Sequence, residues 1–195
     1  MNEIEIIRSQ IAAEQSHAAE VANACAAVFG SESAARAGSS EATALFREAC
    51  VSYLVWVLAR FEERDQTLSE LLAARQRLAS GPTAASVRHL ASLIARSGTS
   101  REALSRLEAA LAAGEAPAAR AGWQEFTRFF DSAWAPRRAT LDGALAEHLR
   151  VADLRAVYAI DADSILDERK RYARVAAQAP AGTGLRPTGP AEPRA

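Results

Sequence analysis

Glu14 and His17 are the residues whose types and spacing could do chemistry. Glu14 sits in the middle of an apolar helical stripe, between Ile11 and Ala18. A carboxylate on such a face needs a cation, a metal or a proton, because a bare buried charge is far too costly. His17 follows at i+3, so the two side chains project from nearly the same face. Glu-x-x-His is the spacing of carboxylate-bridged di-metal bundles, which need a second such pair and further carboxylates. Only one pair is present. Glu62 on a long apolar helix and His148 near the end of the chain complete the candidate metal set of Glu14, His17, Glu62 and His148. The ion to expect there is iron or another divalent cation. The competing reading is an internal ion pair or hydrogen bond. If the first two helices are antiparallel, Glu14 lies level with about residue 56, within reach of Arg60 or Tyr53.

The elements that must carry these residues are helices. Residues 2–29 place Ile4, Ile7, Ile11, Ala18, Val21, Cys25 and Phe29 on one face at about 100° per residue. Gly30 ends that helix, and the polar segment 31–40 reads as a loop. A second helix of about 38 residues follows, from Glu41 to Leu78, with a stripe of Phe46, Cys50, Tyr53, Leu54, Val57, Phe61, Leu68, Leu71 and Leu72. Arg60, Arg64 and Asp65 point inward below this apolar half and Glu63 points outward. Arg64 and Asp65 are expected to pair with Asp163, Arg155 or Arg169. Residues 84–113 form an interrupted helical region, broken at Gly98. Gly114 and Pro117 punctuate it, with Pro117 suited to a first helical turn. Trp123, Phe126, Phe130 and Trp134 then form an aromatic stripe that reads as core, with a small-ligand wall as the weaker alternative. A last long helix, 137–177, carries one apolar face of Leu141, Leu145, His148, Ala152, Ala159, Asp163 and Leu166, and a second around Leu154, Val157, Tyr158, Ile165 and Tyr172. A helix apolar on two sides is central or shared with a second chain.

No stretch alternates as a strand does. The expected fold is therefore all-α and four-helix-bundle-like: one domain over 1–177, with two long helices, a shorter N-terminal helix, a broken third region and a disordered Pro/Gly-rich tail over 178–195.

Composition narrows the classes of function. A net charge of −1 over 195 residues, with no basic helix face, argues against nucleic acid and anionic membranes as partners. The most apolar run, Ala49 to Ala59, is well short of the roughly 20 residues of a membrane span. The N-terminus lacks the basic and apolar regions of a signal peptide. Cys25 and Cys50, the 2 cysteines, read as buried thiols in a cytoplasmic protein. Abundant alanine and arginine in excess of lysine suggest a bacterial source. Phosphate-loop, dinucleotide, serine-hydrolase and zinc-protease motifs are all missing.

With Glu14-Gln15-Ser16-His17, Glu62-Glu63, His89 and His148 on helices, the layout resembles the hemerythrin-like and ferritin-like bundles. The resemblance covers residues 2–175 in helical layout. It implies descent from a non-haem iron protein. The paired His motifs of hemerythrins and the second Glu-x-x-His of ferritin-like proteins are absent, so a di-iron site would be lost or rebuilt. Two functions are carried forward. The first is a non-catalytic bundle that acts by oligomerisation or by binding a protein partner. The second is a divergent metal-binding bundle.

Overall fold

The computed structural model describes residues 3–30, 41–76, 101–134, 151–158 and 162–185. Those residues are helical apart from short turns and contain no strand. Helix α1 spans Glu3–Gly30 and α2 spans Glu41–Gln76. Helix α3 occupies 101–112. Helix α4, Ala116–Phe129, continues into a π-helical turn, Phe130–Trp134. Helices α5, Val151–Tyr158, and α6, Ala162–Gln178, fall in the region where the sequence suggests one long helix. Residues 137–150 and 159–161 of that region, the expected break at Gly98, His89 and His148 lie outside the described residues.

The described members of the stripes expected for α1 and α2 are core, apart from the half-buried Leu71. Ile7, Ile11, Ala18, Val21, Cys25 and Phe29 are buried from α1, and Phe46, Cys50, Tyr53, Leu54, Val57, Phe61 and Leu68 from α2. Val51 and Leu58 are buried too, so α2 is covered on more than one side. It packs against α1, α5 and α6. By length and composition, Glu41–Leu71 is apolar enough to cross a membrane, a longer window than Ala49 to Ala59. In this fold Phe46, Val51, Leu54, Val57, Leu58, Phe61 and Leu68 of that segment are core, and Leu45 is exposed.

Named contacts set the directions. Cys25 lies beside Cys50, and Arg47 donates to the Val28 carbonyl at 3.4 Å, so α1 and α2 are antiparallel. The Arg47 guanidinium also lies 4.7 Å from the centre of the Phe29 ring, closing the end of α1, where carbonyls lack helical partners. His17 meets Glu168 and Glu20 meets Tyr172, so α6 runs parallel to α1 and antiparallel to α2.

A Schellman turn separates α3 from α4. Gly114, at φ 71°, donates to the Leu111 carbonyl at 3.0 Å, and Glu115 to the Ala110 carbonyl at 2.9 Å. Pro117 stands in the first turn of α4, as its position suggests. Gly122 lets the two helices approach closely: a Cβ there would lie 3.4 Å from Leu107 Cβ. Trp123, Phe126 and Phe130 of the aromatic stripe are core. Trp123 stacks on Phe29 at 5.2 Å and contacts Phe126, which contacts Phe130. Beyond α6, Thr183 turns back on Pro180 and Leu185 packs against the core, within the segment expected to be disordered. Residues 186–195 lie outside the described residues.

The core face of α6 differs from the expectation. Asp163 is exposed and Leu166 is 50 % exposed, whereas Glu168, Tyr172, Val175 and Ala176 are buried. Of the two apolar faces read from the sequence, the one containing Tyr172 packs inward.

Candidate functional site

A polar layer crosses the middle of the α1–α2–α6 core, and Glu14 is its first member. Its side chain is 0 % exposed. Arg64 grips both carboxylate oxygens, Nη1 on Oε2 and Nη2 on Oε1, the latter at 3.3 Å. Arg60 Nη2 lies 3.5 Å from Oε1, and Gln10 donates to the same oxygen at 3.4 Å from one turn earlier on α1. A two-point guanidinium–carboxylate contact gives both attraction and fixed orientation. The expected Arg60 contact is present, but Arg64 is the closer partner. The register explains this: the Cys25–Cys50 and Val28–Arg47 contacts put Glu14 level with Phe61, more than one helical turn beyond the expected level.

Glu168 is the second centre. This carboxylate on α6 is also 0 % exposed. Its Oε1 accepts from the Tyr53 hydroxyl at 2.7 Å and faces His17 Nδ1 at 2.9 Å. Its Oε2 is buried with no hydrogen-bond partner among the described residues. Tyr172 stacks on the His17 ring at 4.0 Å and donates its hydroxyl to Glu20 at 2.6 Å. Burial, and next the neighbouring Glu168 carboxylate, push the Tyr53 phenol well above its ordinary range. Burial and the hydrogen bond to Glu20 push Tyr172 up as well. Both phenols are thus hydrogen-bond donors held in the protonated form.

Sequence reasoning missed Glu168, although the signal resembles that of Glu14. It stands three residues after Ile165 and four before Tyr172, inside the stripe that packs inward. The structure gives each member of the Glu14–His17 pair a partner from another helix, Arg64 and Glu168. Glu62 pairs with Arg101 of α3. Among the described residues, no group of three or more His, Cys, Asp or Glu side chains is placed to hold a metal ion.

Outside the layer, the half-buried Trp56 is flanked by two guanidinium groups, Arg60 at 4.9 Å and Arg171 at 4.8 Å. Arg171 also donates to Asp167 at 3.0 Å. Beside it, α2 and α6 enclose a surface groove of about 230 Å³. Leu45, Ala49 and Val175 supply its apolar lining, and Tyr53 links it to the polar layer. Glu48 lines it from α2, and Arg171 and Arg174 line it from α6.

Fold and layer together define an all-α bundle whose buried carboxylates are held by arginine, tyrosine and histidine. No protein-family model, curated protein or solved structure matches the chain.

Proposed function

We propose that this protein is a non-catalytic helical bundle that acts by association, first of all with a second copy of itself. One observation carries the reading. Leu45, a large apolar side chain, is 47 % exposed at the groove between α2 and α6. Apolar surface joined to a groove and rimmed by charge is the usual signature of a protein-binding surface. The polar layer is consistent with this role. Glu14 is occupied by arginines, and the tyrosine hydroxyls are engaged as donors to carboxylates. These contacts position helices rather than present an activated nucleophile. The proposed setting is the cytoplasm, where buried thiols such as Cys25 and Cys50 stay reduced.

Sedimentation velocity across a concentration series tests the reading. A species heavier than the 20.8 kDa chain, growing with concentration, is expected. One monomeric species at every concentration would overturn self-association.

A further inference from the structure

The groove between α2 and α6 has a feature that selects its occupant. Its two walls carry opposite charge. Glu48 stands on the α2 side, and Arg171 and Arg174 on the α6 side. Arg171 is already bound to Asp167. Among the described residues, Glu48 and Arg174 form no ion pair. They also lie level. The Tyr53–Glu168 hydrogen bond fixes the antiparallel register of α2 and α6. Glu48 comes five residues before Tyr53 and Arg174 six after Glu168.

We infer that the groove is the seat of a symmetric dimer, with a twofold axis running along it. Such an axis exchanges left and right while keeping level. The α2 wall of one copy then lies over the α6 wall of the other, and Glu48 faces Arg174 of the second copy twice. Leu45, Ala49 and Val175 of both copies meet between these pairs. A twofold axis across the groove would instead oppose acid to acid and base to base, so charge selects between the two arrangements. The inference rests on the association reading and adds its surface, symmetry and register.

Charge exchange tests it. Glu48→Arg sets arginine against arginine at both pairs of the dimer, and Arg174→Glu sets glutamate against glutamate. Each variant alone should weaken dimerisation at least about tenfold. Mixing the two variants should restore it, since every pair across a mixed dimer is again of opposite sign. Both substitutions are at exposed positions, so unchanged helicity and melting temperature serve as the folding control. A wild-type dimer indifferent to both variants would overturn the groove while leaving self-association standing. So would loss of dimer in both variants without recovery on mixing. A monomeric wild type would overturn groove and association together.

Discussion

Arg64 and Glu14 show what a buried ion pair asks of its neighbours. Both side chains are almost fully withdrawn from water, and their attraction has to offset two desolvation costs. Removing Arg64 takes the two-point contact from the buried Glu14 and leaves it the longer contacts with Arg60 and Gln10. Arg64→Met should therefore lower unfolding stability by about 3–5 kcal/mol. Adding Glu14→Leu should recover part of that loss, because an apolar pair carries no uncompensated charge. Urea denaturation of the two single variants and the double variant measures this. Additive losses would mean that the two residues are not coupled. The tyrosines make a prediction about pH. Tyr53 and Tyr172 are held protonated in the fold, whereas an unfolded chain releases these protons near pH 10. Raised folded-state values contribute stability that is complete below about pH 10 and is lost as pH climbs beyond it. Absorbance at 295 nm should thus show two phenols ionising only together with unfolding, and Tyr53→Phe should flatten the alkaline decline. Two phenols titrating near pH 10 in folded protein would contradict the packing described.

Between α3 and α4, one glycine decides how two elements meet. Gly114 adopts φ 71°, and its neighbours complete the Schellman hydrogen bonds. Gly114→Ala meets no steric obstacle around its Cβ, so its cost is that of a left-handed backbone, about 1 kcal/mol. A thermal melt checks this, and an unchanged or higher melting temperature would contradict the assigned turn. Gly114 and Pro117 were legible as punctuation because their constraints are local. The face of α6 was not. Two apolar stripes compete on that segment, and periodicity cannot tell which of them meets the core. Glu168 was overlooked for the same reason: its stripe becomes the inner face only when α1 and α2 are there to receive it.

Across the whole molecule, α2 is the strut on which α1, α5 and α6 lean. Its upper half supplies apolar packing, its middle supplies Arg60 and Arg64 to the polar layer, and its outer edge supplies Leu45 and Glu48 to the groove. Tyr53 belongs to both places, as a donor to Glu168 and as part of the groove. A dimer seated there would cover the outside of the same helix pair that Glu168 fastens from within. Self-association and its sensitivity to charge exchange are therefore properties of the assembled bundle, and isolated helices should not reproduce them.

The sequence by itself determined the all-α class, the helices α1 and α2, the turn at Gly114, the aromatic core residues Trp123, Phe126 and Phe130, and the misfit of Glu14 on an apolar face. Each follows from spacing along one chain, because helix hydrogen bonds and helix faces are set by residues three and four apart. Only the tertiary structure decided that Arg64 closes on Glu14, that His17 and Tyr53 converge on Glu168, and that Glu48 and Arg174 face one groove. Those outcomes depend on interhelical level and rotation, where a shift of one turn exchanges every partner. Register of that kind is a property of packed surfaces and is not written in the period of any single helix.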